Sequence, residues 1–209
     1  LALPIPATAF IGREAELAHV AELLADPDCR LLTIIGPGGI GKTRLALQTA
    51  VGHRPVFADG VAWVALNGVQ VPEQVTAVVA EVLNYRLRGS GQPEAELFHL
   101  LADKTLLLVL DNFEHLLPAA DFLTRLLRQT TAVKLLVTSR QPLDLQEEWR
   151  FDLGELPLPE TLSEDVLAVN SAVQLFVQSA RRVSTTFAPA EADFPIIVRI
   201  CQQVGGMPL

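Results

Sequence analysis

Apolar residues near the start of the chain recur at helical spacing: Leu17, Val20, Ala21 and Leu24 follow i, i+3, i+4, i+7 and predict a helix between Arg13 and Ala25. Asp26-Pro27-Asp28 ends it, and Leu31-Leu32-Thr33-Ile34-Ile35 then runs without polar alternation. A run apolar on both faces is what a central parallel strand requires. Leu45, Ala46 and Thr49 restore helical spacing over Lys42 to Val51. The turn pair Asp59-Gly60 opens a second strand at Val61 to Leu66. Two helices are predicted next, Pro72 to about Asn84 and Pro93 to Ala102, separated by a flexible break at Gly89-Ser90-Gly91-Gln92. Leu106 to Leu110 is another doubly apolar strand, ending at Asp111. Helix Pro118 to Arg128 leads to strand Lys134 to Thr138, with Arg140 just beyond.

Strand and helix alternate, so the expected fold is α/β, a three-layer sandwich around a mainly parallel sheet with right-handed crossovers. From Trp149 the pattern changes to a short edge strand at Arg150 to Leu153, a link punctuated by Pro157 and Pro159, and helices at Ala172 to Arg182 and Glu191 to Val204. The sequence divides on this basis into residues 1–155 and a small helical lid or subdomain, 156–209. No internal repeat is visible. In a doubly wound sheet, ligands bind beyond the C-terminal strand ends. The segment after Ile35, Asp111 and Arg140 all fall at such ends.

Composition narrows the field. Half of the 209 residues are hydrophobic, enough for a sizeable core, yet the apolar runs are strand-sized and far short of the roughly 20 residues a membrane helix needs. Nothing resembles an export signal. Two cysteines, Cys29 and Cys201, lie far apart without metal-ligand spacing and fit a reducing cytoplasm. A formal net charge of −8 argues against direct nucleic-acid contact by this segment. The chain lacks an initial Met and stops at Met207-Pro208-Leu209 within a running apolar pattern, which predicts a piece of a longer protein.

The most specific chemistry lies in Gly36-Pro37-Gly38-Gly39-Ile40-Gly41-Lys42-Thr43. A glycine-rich turn between a strand and a helix aims successive backbone N–H groups and the helix N-terminus at a phosphate, and glycines permit the close approach. Lys42 adds a cation for β- and γ-phosphate oxygens, and Thr43 offers a hydroxyl to Mg²⁺. Asp111, at the end of a hydrophobic strand, supplies a carboxylate for the same ion. The expected ligand is therefore a nucleoside triphosphate, ATP with Mg²⁺. Asn112 stands where hydrolases of this kind place an acid. It can orient water but cannot take its proton, and it can equally serve as a helix cap. Glu114 is a surface acid or a substitute base. Arg140 could reach a terminal phosphate or simply be an exposed loop arginine. His19, His53, His99 and His115 have no ligand spacing, and Arg181-Arg182 reads as a solvated helix end.

Five stretches together resemble the signal-transduction ATPases with numerous domains, the STAND class of P-loop NTPases that includes NB-ARC modules, and within it bacterial transcriptional regulators related to AfsR and MalT. They are Phe10-Ile11-Gly12-Arg13-Glu14, the Gly36 to Thr43 loop (Walker A), Leu108 to His115 (Walker B), Thr138-Ser139-Arg140 and Gly206-Met207-Pro208-Leu209. The resemblance implies that Ile11, Gly12 and Arg13 meet adenine, that Gly36, Gly38, Gly39, Ile40, Gly41, Lys42, Thr43 and Arg44 hold the phosphates, that Pro208 closes over the base, and that Arg140 senses the terminal phosphate. It also implies winged-helix and repeat domains elsewhere in the same longer chain, and a homo-oligomer on activation. Asn112 and Met207 depart from the family pattern, the first slowing hydrolysis.

The leading reading is an ATP/ADP-binding regulatory switch with slow hydrolysis. A constitutively turning-over ATPase or P-loop kinase is the alternative. A kinase would need an arginine-rich lid, and no such cluster follows Asp111. A purely structural module that has lost binding would be expected to lose Gly41, Lys42, Thr43 and Asp111 first.

Overall fold

The computed structural model describes residues 1–88, 91–159, 167 and 169–208. Gly89 and Ser90 of the expected break, 160–166 of the Pro-punctuated link and Leu209 of the closing motif lie outside the described residues.

Five strands form one sheet: β1 (Leu31–Ile35), β2 (Val61–Ala65), β3 (Leu107–Asp111), β4 (Lys134–Ser139) and β5 (Glu148–Asp152). Their spatial order is β2-β3-β4-β1-β5, and every neighbouring pair is parallel. Every residue of β1 is buried. This is the fate expected of a strand with helices on both faces. The period of two then sorts side chains into two cores. Leu31, Ala62, Val64, Leu108, Leu110, Leu135 and Val137 meet helices α3 (Gln74–Val82), α4 (Pro93–Leu101) and α5 (Ala120–Gln129) on one face. Leu32, Ile34, Trp63, Leu107, Val109 and Leu136 meet α1 (Glu14–Ala25) and α2 (Lys42–His53) on the other. The result is the three-layer α/β sandwich that the alternation predicts.

Two elements differ from expectation. The edge strand is Glu148–Asp152, two residues earlier than the apolar pattern suggests, because only Phe151 of the five is buried and a strand solvated on one side carries little hydrophobic signal. The helix expected from Pro118 begins at Ala120, preceded by a tight 3-10 segment, Phe113–Ala119, that contains Pro118. No helix joins β4 to β5. Residues 140–147 instead cross the sheet, with Leu143 buried against the α5 side and Leu145 packed beside it.

Beyond β5, Leu156, Leu167, Ala172, Val173, Ile197, Val198 and Cys201 make a third apolar cluster between helices α6 (Ser171–Val183) and α7 (Phe194–Gln203). The Asn170 side chain caps α6 by accepting from the Ala172 and Val173 amides at 3.1 and 3.2 Å, as an N-cap residue should. Leu156 N donates to Gly206 O at 3.1 Å, so the exit from β5 is stitched to the turn after α7. At Gly206, with φ of +68°, an added Cβ would collide with the Leu156 carbonyl oxygen.

Leu123 on α5 is fully buried in the first core. Leu123→Ala is expected to lower unfolding free energy by roughly 2–5 kcal/mol, the span for buried leucine truncation, measured by denaturant titration. Both thiols are buried, and burial pushes the Cys29 pKa up to about 11 and raises that of Cys201. At pH 8 the native chain is therefore expected to react slowly with a thiol reagent, and both cysteines to react fully once denatured; rapid labelling of the native chain would contradict their burial.

Candidate functional site

The turn that follows β1 is held to the sheet by Gly36 N, which donates to Ser139 O at the end of β4 at 3.3 Å. Gly39 and Gly41 have φ of +81° and +104°, left-handed conformations that admit glycine without strain. The turn delivers the free amides of the first turn of α2 to the sheet edge, an anion-binding geometry. Lys42 is buried, and its Nζ donates to Gly36 O at 2.8 Å and Pro37 O at 3.0 Å, folding the ammonium back over the loop. Burial lowers the Lys42 pKa, Arg140 lowers it further, and Glu114 and Asp111 oppose the shift.

Asp111 closes the other side of the loop. One oxygen, Oδ1, accepts from Thr43 Oγ1 at 2.8 Å and from Thr138 Oγ1 at 2.7 Å. Thr138 Oγ1 in turn accepts from Asn112 N at 2.9 Å. The Thr138 hydroxyl is a site group that sequence reasoning passed over, because the Thr138-Ser139-Arg140 stretch drew attention to its arginine alone. Asn112 sits at the start of the 3-10 segment with φ of +69°, but its side chain makes no capping bond. The capping alternative therefore fails. Its Nδ2 lies 3.5 Å from His115 Nδ1, while His115 Nε2 is 2.8 Å from Val69 O. With the His115 proton on Nε2, Nδ1 accepts from the Asn112 amide, leaving the Asn112 carbonyl oxygen as a free acceptor. His115 is thus a supporting residue of the site.

Glu114 is not a surface acid. Its side chain is 16% exposed, and Oε1 pairs with Arg140 Nε at 2.8 Å. Arg140 is 64% exposed, and a Cβ on Gly38 would sit 3.4 Å from its Nη2, so the guanidinium lies over the phosphate loop. The sheet thus brings Lys42, Thr43, Asp111, Asn112, Glu114 and Arg140 to one edge.

A cleft of about 220 Å³ opens beside the loop. Ile11, Ile40, Leu156, Leu175 and Pro208 give it apolar walls, and Gly39 and Gly41 join it to the phosphate turn. Pro208 Cγ would lie 3.9 Å from a Cβ on Gly41. Arg13 borders the cleft but spends its guanidinium elsewhere: Nη2 donates to Gly154 O at 2.7 Å and Ile40 O at 3.4 Å, and Nη1 to Glu155 O at 3.3 Å and Glu16 Oε1 at 2.7 Å. Gly12, with φ of +67°, turns the chain into it. Arg44 likewise fastens the N-terminal arm through Thr8 O at 2.7 Å and Ala9 O at 2.9 Å. The α6 wall, Leu175, Gln178, Ser179 and Arg182, was illegible in the sequence beyond an amphipathic face. Arg182 is exposed in the last turn of α6, as expected of a solvated helix end, and from there it donates to Ser179 Oγ at 3.2 Å and borders the cleft.

Comparison with known proteins agrees with this geometry. The NB-ARC domain model matches residues 13–143. A Mycobacterium tuberculosis protein described as uncharacterised is 35% identical over 204 residues, 97% of this chain and 49% of its own length. A second protein of that species, whose name describes an HTH-type transcriptional regulator, is 32% identical over 181 residues, 86% of this chain and 19% of its own. The regulatory protein AfsR of Streptomyces griseus is 28% identical over 218 residues, 95% of this chain and 21% of its own. The chain thus spans about half or less of the length of these relatives. Among solved structures, the STAND protein of Pyrococcus horikoshii with a tetratricopeptide repeat sensor superposes with a TM-score of 0.61 at 18% identity, over 98% of this chain and 29% of that one. The Drosophila ORC structure gives 0.67 at 16% identity, over 94% and 57%. These likenesses speak for the fold. The matched model covers the phosphate turn, Asp111 and Arg140 alike, and the chain belongs to the NB-ARC domain family of P-loop NTPases.

Proposed function

We propose that this chain is an ATP/ADP-binding regulatory switch with slow ATP hydrolysis, acting in the cytoplasm within a larger signalling or transcription-regulating protein. One observation carries the reading: the cleft beside the phosphate turn is walled jointly by the N-terminal arm, by the loop and by α6 with Pro208 from the helical part. A base held there touches both parts, 1–155 and 156–209, so occupancy and the placement of the helical part are coupled. Arg13 and Arg44, with their guanidinium groups engaged by backbone carbonyls, hold the shape of the slot while Ile11, Ile40 and Pro208 grip the base.

On the phosphate side, Lys42 exchanges the Gly36 and Pro37 carbonyls for phosphate oxygens, and Arg140 reads the terminal group. A threonine hydroxyl and a carboxylate 2.8 Å apart are hard oxygen donors of the kind Mg²⁺ prefers, so Thr43 and Asp111 fit that ion. Bound there, Mg²⁺ would neutralise charge on the β- and γ-phosphate oxygens. Asn112 can orient an attacking water through its free carbonyl oxygen but accepts no proton, which makes turnover slow. Relatives named as regulators support a setting within a longer regulatory protein. Winged-helix and repeat domains in that longer chain, and self-assembly on activation, complete the proposal.

Titration with fluorescent ADP tests the site. Lys42→Ala is expected to weaken binding by roughly tenfold or more, as loss of a charge-assisted hydrogen bond implies, and binding equal to the parent's would sink the assignment. Phosphate release from the parent is expected to be slow, and Asn112→Asp to speed it roughly 10–100-fold by restoring a proton acceptor. Fast release from the parent would favour a constitutive ATPase instead.

A further inference from the structure

We infer that Glu114 is a positioning residue for Arg140, and that the pair, rather than the arginine alone, sets the preference for a triphosphate over a diphosphate. The inference rests on the nucleotide-binding reading above and assigns a role within it that the sequence left open between a base and a surface acid.

Arg140 follows β4 directly and its side chain is 64% exposed. An exposed arginine samples many rotamers, and a guanidinium must be held still to act as a selective phosphate reader. Glu114 supplies that restraint. Its Oε1 engages Nε, the inner nitrogen, at 2.8 Å. The restraint therefore leaves the outer edge of the guanidinium for another partner, and Nη2 is the atom nearest Gly38 of the phosphate turn. A carboxylate that gripped both outer nitrogens would block the same edge.

Glu114 is itself held rigidly. It is the second residue of the 3-10 segment, flanked by Phe113, which is fully buried. The segment is preceded by Asn112, whose amide is bonded to Thr138 Oγ1 on β4, two residues before Arg140. Carboxylate and guanidinium are thus mounted on two neighbouring strand exits joined by a hydrogen bond. The second oxygen, Oε2, is buried without a hydrogen-bond partner among the described residues. A general base would need that oxygen open to a water, and here it is closed off; a carboxylate spent on orienting a cation needs only one.

The test measures affinities of the full chain for ADP and for a non-hydrolysable ATP analogue with Mg²⁺ present. Arg140→Ala is expected to weaken triphosphate binding roughly tenfold while ADP changes less than about twofold. Glu114→Ala should reproduce several-fold of that loss, again for the triphosphate alone. Glu114→Gln, which keeps a carbonyl oxygen beside Nε but not the charge, should recover part of it. The double variant Glu114→Ala with Arg140→Ala should bind like Arg140→Ala. Unchanged ADP affinity in each variant reports an intact fold.

Three results overturn the inference. Glu114→Ala and Glu114→Gln could abolish phosphate release without altering either affinity, which would make Glu114 the base. Triphosphate affinity could rise, which would make the carboxylate a competitor for Arg140. The two losses could simply add, which would make the residues independent. Failure of the nucleotide reading looks different, because then the parent chain binds neither ligand, and the inference falls with it.

Discussion

A single oxygen, Asp111 Oδ1, holds the functional edge of this molecule together. By accepting from Thr43 and Thr138 at once, it ties the start of α2 and the end of β4 to the end of β3. Both donors are neutral hydroxyls, and Lys42 is the cation that feels this carboxylate. What anchors the architecture is thus also what could bind a hard cation, and structural and chemical demands fall on one group. At the same edge the Gly36 amide donates to Ser139 O, which fixes where the phosphate turn begins.

The parts legible in the sequence were those in which local chemistry and tertiary position coincide. Leu31 to Ile35 and Leu106 to Leu110 are apolar at every or nearly every position because helices cover both faces, and the glycine turn is bound in sequence to the strand and helix that it joins. Asp111 could be placed because it ends such a strand. The parallel order β2-β3-β4-β1-β5 followed in class from alternation, although the direct passage from β4 to β5 did not. That passage works without a helix because Leu143 and Leu145 close the core over it.

The illegible parts depend on residues that meet only after folding. Glu148–Asp152 borders the sheet, and with Trp149 and Arg150 facing solvent its pattern says little. Glu114 read as an acid near the surface because nothing in the sequence tells that Arg140, on another strand, comes to rest beside it. Gln178, Ser179 and Arg182 border the cleft through the packing of α6 against the loop, for which helical spacing offers no address. Arg13 was legible as a residue of importance but not in its manner: its charge goes to backbone carbonyls of a segment some 140 residues away, a bond pattern that no local motif encodes.

The position of Pro208 opposite Gly41 makes the cleft a product of both ends of the chain. The phosphate turn and all five strands are complete by residue 152. The wall contributed by α6 and Pro208 comes from later residues, and the Gly206-to-Leu156 stitch fixes it to the exit from β5. Loosening that one stitch would open the cleft on one side while leaving the sheet and its phosphate turn as they are.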